Sequence, residues 1–157
     1  MKKLRIGWFS FSCCEDSTIV FTELLNDHFE EWKDKVEFCH VRVLKKRNAL
    51  EGLDVAFVEG AICTPKAEAE VKRIRASAKR VIAIGACADT GMPSGQRNRF
   101  DLERQAEIEP IVRAFDYSKT VRSLKEVIPV DGTVPGCPMA GEAFVAMLEK
   151  LLKEFGA

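Results

Sequence analysis

One stretch constrains the fold more than any other: Arg80-Val81-Ile82-Ala83-Ile84-Gly85. It is a continuous apolar run of strand length, entered through a charge and left through a glycine. A strand without polar alternation is buried on both faces, which is the situation inside a parallel sheet. Parallel neighbours cannot be joined by a tight hairpin, so such a strand implies crossover helices on either side of it.

The rest of the chain supplies the partners. Leu4 to Phe9 reads as a short buried strand. A helix follows from Asp16 or Ser17, either of which is a candidate cap, to about Trp32, with an apolar stripe through Ile19, Val20, Leu24 and Leu25. Val36 to Val43 alternates cleanly and reads as a half-buried edge strand, with Phe38 and His40 on the face opposite Cys39. Asp54 to Glu59 is a central strand that ends at Gly60. Thr64-Pro65 opens a helix, with threonine as cap and proline at the first helical position, where its missing N–H costs nothing. That helix turns Ala67, Val71, Ile74 and Ala78 inward and its charge run toward water. Asp89 to Asn98 is a long loop, and loops of that length are commonly functional or disordered. Leu102 to about Tyr117 is expected to be helical in part, interrupted by Pro110, and Glu126 to Asp131 to be a weak strand. The last helix is the clearest, with Ala140, Ala143, Phe144, Met147, Leu148, Leu151, Leu152 and Phe155 on one stripe. Strands alternating with helices from end to end predict one α/β domain over residues 1–157, a flavodoxin-like three-layer sandwich with a central parallel sheet.

Charge and hydropathy narrow the function classes. Lys plus Arg number 24 and Asp plus Glu number 24, so no basic footprint for nucleic acid exists. No apolar run approaches the length of a membrane span. The basic N-terminus is followed by too short an apolar stretch for a signal peptide, which places the protein in the cytoplasm. There, six cysteines point to metal ligands or reactive thiols rather than to a disulfide framework.

Five of the six cysteines follow predicted strands: Cys13 and Cys14 in tandem, then Cys63, Cys87 and Cys137. In a parallel sheet all strand C-termini share one edge, so four separate loops converge on one rim. Only Cys39 lies inside a strand, as a small apolar filler. Adjacent cysteines make a poor disulfide, and adjacent thiolates need a compensating positive charge. Four of the five rim thiols suit an iron–sulfur cluster. Gly85 and Gly136 would let backbone approach it closely, and Pro138 fixes the exit from Cys137. Zinc fits less well, because no Cys-x-x-Cys knuckle is present. Neither His28 nor His40 reads as a ligand. Merely reactive or buried thiols stay open as an alternative.

Around these residues the chain resembles the small, cluster-bearing subunit of nickel–iron hydrogenases and its relative in NADH:quinone oxidoreductase. The resemblance rests on Phe57-Val58-Glu59-Gly60-Ala61, on Gly85-Ala86-Cys87-Ala88 with Gly91, Pro93, Arg97 and Asn98 beyond it, and on Pro135-Gly136-Cys137-Pro138. The middle block is nearer to compact cytoplasmic hydrogenases. The tandem Cys13-Cys14 replaces their Cys-x-x-Cys and is the quinone oxidoreductase pattern. The resemblance implies one proximal-type [4Fe-4S] cluster on Cys13, Cys14, Cys87 and Cys137, with Cys63 as the alternative ligand in place of Cys13. It implies that Glu15 takes part in proton movement, against the plainer role of an acid at a helix start with Asp16 as the cap. It further implies a hydrogenase-type large subunit that holds the catalytic centre, and another electron-carrier subunit. Such a hetero-oligomer would be cytoplasmic, free or peripheral to a membrane complex. Met92, Pro93 and Met139 are candidates for the partner-covered rim, against the plainer reading that the methionines pack beneath the long loop. Two other classes remain: a thiol-based redox enzyme with Cys13 or Cys14 as low-pKa nucleophile, and an FMN module cradling phosphate at Ser10, Ser12, Ser17 and Thr18.

Overall fold

The computed structural model describes residues 2–157. The run that anchors the sequence reading is β4 (Ala78–Ile84), and it lies inside a five-stranded sheet with β1 (Leu4–Ser10), β2 (Val36–Val41), β3 (Leu53–Glu59) and β5 (Gly132–Val134). The strand order is β2-β1-β3-β4-β5 and every pairing is parallel. This is the doubly wound, flavodoxin-like order, in which the winding reverses between β1 and β3. Strand β3 is buried along its whole length, as a central strand covered on both faces must be.

Helices α1 (Asp16–Asp27), α2 (Phe29–Trp32) and α6 (Gly141–Phe155) cover one face; α3 (Pro65–Ser77) and α4 (Gly85–Thr90) cover the other. The first face holds the aromatic part of the core. Trp8 stacks on Phe21 at 4.4 Å between ring centroids, and Phe144 from α6 sits among Trp8, Phe21, Trp32 and Phe57. The second face is aliphatic, with Val71 and Ile74 of α3 against Ala56, Val58, Val81 and Ala83. The N-terminal edge of the sheet is pinned by two carboxylates. Asp54 accepts from the Arg5 N–H at 3.1 Å and from Lys79 at 2.7 Å, and Asp131 accepts from the Val81 N–H at 2.7 Å and from Arg75 at 2.5 Å.

Several local expectations are corrected. Glu15, in left-handed backbone, is the N-cap of α1 and makes no side-chain cap bond, so neither Asp16 nor Ser17 caps it. The buried positions of α1 are Ser17 and Phe21, whereas Ile19 is exposed. The first helical stretch also breaks at His28 instead of running unbroken to Trp32. The pairing of β1 with β2 slips between Ile6 and Gly7, so Cys39 is the extra residue of a bulge in β2. His40 therefore stacks on Phe9, whose side of the sheet also holds Cys39, and Phe38 alone joins the aromatic face. Pro110 does not interrupt α5 (Leu102–Ala114), which continues through it. No strand forms among the described residues 126–131: a 3-10 turn, Leu124–Glu126, ends where the expected one begins, and the strand comes just later as β5.

Candidate functional site

The C-terminal edge of the sheet is where the loops after β1, β3, β4 and β5 meet. The tandem-cysteine loop is tied to the exit of β3: the Phe11 N–H donates to Glu59 O at 2.9 Å, and Ser12 and Ala61 exchange backbone hydrogen bonds at 3.0 and 3.2 Å. That approach requires glycine at residue 60. Its φ is +90°, and a Cβ there would meet the Phe11 carbonyl carbon at 2.7 Å and the Ser12 nitrogen at 2.8 Å. On the other side the Ala86 N–H donates to Gly136 O at 2.7 Å and the Met139 N–H to Ser17 Oγ at 3.1 Å. Gly136 has φ +119°, and a Cβ would come within 2.4 Å of Pro138 O. Gly60 thus lets the first two loops close on one another, and Gly136 lets its own loop fold back tightly, while Gly85 and Gly136 line the cleft between the loops.

Between these loops runs a narrow cleft at the β1/β3 switch point. Cys13, Cys14, Cys87 and Cys137 line it together with Glu15, Asp16, Ser17 and Glu59. Cys14 and Cys137 are exposed at its mouth, Cys13 is half-buried and Cys87 buried. The enclosed volume is only about 20 Å³, room for about one water. A larger group requires the side chains that line the cleft to move apart. Among the described residues no three His, Cys, Asp or Glu side chains gather tightly enough for a single metal ion. A cluster makes a different demand, since it takes four thiolates on four separate corners. The all-sulfur donor set, drawn from two loops and the first turn of α4, suits that chemistry.

Among the described residues no lysine, arginine or histidine lines the cleft. Burial pushes the Cys13 thiol up to about 12, and the nearby charge of Glu59 adds to this, offset in part by a hydrogen bond from the Glu15 N–H. Glu59 is a further residue of the site. It is 2% exposed and accepts from Ser10 Oγ at 2.6 Å and from Thr18 Oγ1, which in turn accepts from the Trp8 indole N–H at 2.8 Å. Sequence reading treats Glu59 as the end of a strand; only the folded positions of Ser10 and Thr18 reveal that it is held.

Cys63 lies outside this cleft. Its sulfur is 2.6 Å from Ser12 Oγ, and it packs with Ala61, Cys87 and Val121, against which Cys13 also rests. Cys39 is buried within β2 and does not line the cleft, as expected of a strand filler. Glu15 is exposed and lines both the cysteine cleft and a neighbouring cavity of about 350 Å³ beside Ser10, Thr18, His40 and Arg42. Met139 is buried at 2% exposure, so it offers no partner surface, whereas Pro93 is exposed and Met92 half-buried.

Two features weigh against parts of the alternative chemistries. A Cys13 thiol pushed up to about 12 is the reverse of an activated nucleophile. The hydroxyls assigned to phosphate are engaged elsewhere: Ser10 and Thr18 on Glu59, Ser12 with Cys63, and Ser17 with the Met139 N–H. A buried carboxylate beside them opposes a phosphate.

The family model described as NADH ubiquinone oxidoreductase, 20 Kd subunit, matches residues 13–151. The chain belongs to that family. A similar curated protein is an F420-non-reducing hydrogenase subunit from Methanothermobacter thermautotrophicus, 32% identical over 94% of this chain and 54% of its own length. Another is the delta subunit of the NAD-reducing hydrogenase HoxS from Cupriavidus necator, 22% identical over 96% of this chain and 79% of its own. The chain spans about half the length of the methanogen proteins it matches. Among solved structures, an NAD+-reducing [NiFe]-hydrogenase chain superimposes with a TM-score of 0.83 over 98% of this chain and 93% of that one, at 23% identity. A [NiFeSe]-hydrogenase chain from Dm. baculatum does so at 0.65, over 95% and 62%, at 18% identity. At those identities the likeness establishes the fold, and this member of the family has the flavodoxin-like sandwich. Among the described residues no helix is long and apolar enough to cross a membrane.

Proposed function

We propose that the chain is the electron-transfer small subunit of a cytoplasmic, multi-subunit hydrogenase-type oxidoreductase, carrying one [4Fe-4S] cluster on Cys13, Cys14, Cys87 and Cys137. The observation that carries this reading is that these four thiols, from the loop after β1, the first turn of α4 and the loop after β5, line one cleft at the switch point of the sheet in a member of this family. The names of the relatives, hydrogenase subunits all, support the same class of complex. When bound, the cluster would supply one-electron chemistry.

The chain's own residues have clear tasks in such a unit. Cys87 and half-buried Cys13 form the protein side of the site; Cys14 and Cys137, exposed at the mouth, face outward to where a large subunit with the catalytic centre would dock. Exposed Leu102, Ile111, Phe115 and Tyr117 on and beyond α5 support burial against further subunits, including a second electron carrier. Glu15, exposed at the same rim, would exchange protons with the partner's site. Glu59 holds the β1 and β3 loops in register through Ser10 and Thr18.

Anaerobic co-expression with a hydrogenase-type large subunit tests the proposal. A stable complex whose broad visible absorption bleaches under the partner's reductant is the expected result. A chain that remains separate, or a complex without that absorption, would contradict it.

A further inference from the structure

We propose that Ser94 is a positioning residue for the Cys87 sulfur, donating its hydroxyl proton to that sulfur when the sulfur carries negative charge. The inference rests on the reading that Cys87 is a cluster ligand, and goes beyond it.

The segment after α4 is expected from sequence to be a long loop, functional or disordered, and it is pinned at both ends. The Gly91 N–H donates to Cys87 O at 3.0 Å and the Gly95 N–H to Gly91 O at 2.7 Å. Asn98 exchanges hydrogen bonds with the Val121 backbone at 2.6 and 2.8 Å, and the Arg97 guanidinium donates to the Ser118 and Lys119 carbonyls at 2.7 and 2.8 Å. The segment is therefore a strap. At its middle it places Ser94 Oγ 2.7 Å from Ser12 O and 3.2 Å from Cys87 Sγ. Ala61, Cys63 and Val121 pack against Cys87, and the Ser94 hydroxyl is the group that donates to its sulfur.

A hydroxyl has one proton to give and two lone pairs. Ser94 Oγ stands as donor toward both Ser12 O and Cys87 Sγ, so the carbonyl and the sulfur compete for its one proton. Hydrogen bonds to charged acceptors are roughly twice as strong as neutral ones. The competition therefore shifts toward sulfur as charge on it grows, which stabilises the reduced, more negative state over the oxidised one.

The test is an anaerobic redox titration of the cluster-loaded protein, followed by electron paramagnetic resonance. Ser94→Ala is expected to lower the reduced-to-oxidised ratio at fixed solution potential roughly tenfold, about 59 mV for one electron. Ser94→Thr, which keeps the hydroxyl, is expected to retain the wild-type midpoint. Transfer of the wild-type protein to D2O is expected to remove a proton coupling that Ser94→Ala lacks from the start. An unchanged midpoint and unchanged proton coupling in Ser94→Ala, with iron and sulfide intact, would overturn the role of Ser94 alone. Wild-type protein without iron and sulfide would overturn it together with the cluster reading. Should Ser94→Ala fail to fold, a wild-type cluster with no deuterium-exchangeable proton coupling overturns the role by itself.

Discussion

At the scale of single residues, the site depends on backbone that only glycine can supply. Gly136 combines φ +119° with a Cβ position 2.4 Å from Pro138 O, an atom of the main chain that cannot swing aside. Gly136→Ala is expected to cost about 1–3 kcal/mol, read as a lower urea midpoint, and to displace Cys137. Acid sensitivity has a residue origin as well. Burial pushes the Asp54 carboxyl up, but hydrogen bonds from Lys79 and the Arg5 N–H, with the Lys79 charge, outweigh it and hold the carboxyl below its ordinary value. The unfolded chain then takes up that proton first as pH falls. The contribution of Asp54 is complete above the unfolded value of about 3.9 and is lost as pH drops through the lower folded value. Asp54→Asn should flatten the fall in stability between about pH 5 and pH 3, measured as urea midpoint against pH. A variant with the same acid limb as the wild type would contradict this.

At the scale of elements, α6 organises the aromatic half of the core. Phe144 is fully buried and meets four other aromatic rings. Phe144→Ala should cost about 3–5 kcal/mol in denaturant unfolding, by cavity formation. Helix α3 shows how a short signal specifies a start: Thr64 Oγ1 accepts from the Ala67 N–H at 3.0 Å, with Pro65 at the first position. Thr64→Ala should cost about 1 kcal/mol. These two helices and β1, β3 and β4 were legible because apolar periodicity and capping residues agree within each. What escaped did so for local reasons. Strand β5 has three residues, too few to show a period. The bulge at Cys39 reverses the faces of β2, and alternation alone cannot reveal an extra residue. Helix α5 buries no residue, so Pro110 sits in a helix whose place is not decided by packing against the core.

At the scale of the whole molecule, the placement of the candidate site follows from one topological fact. Every strand is parallel, so the loops after β1, β4 and β5 open on the same edge, and cysteines spread over more than a hundred positions line one cleft. That much could be argued from sequence, because strand C-termini in such sheets share an edge. The support beneath the cleft could not. Glu59, Ser10, Thr18 and Ser94 are ordinary polar residues in sequence, and only the assembled loops give them partners. The central claim is that four sulfur atoms grip one cluster, and it is tested most directly by iron and acid-labile sulfide content per chain. The measurement is made anaerobically on the wild type and on serine variants of each cysteine. The account predicts about four irons and four sulfides in the wild type, with loss in Cys13→Ser, Cys14→Ser, Cys87→Ser and Cys137→Ser and retention in Cys39→Ser and Cys63→Ser. A wild type without iron and sulfide, or full retention in Cys14→Ser, Cys87→Ser and Cys137→Ser, would contradict it.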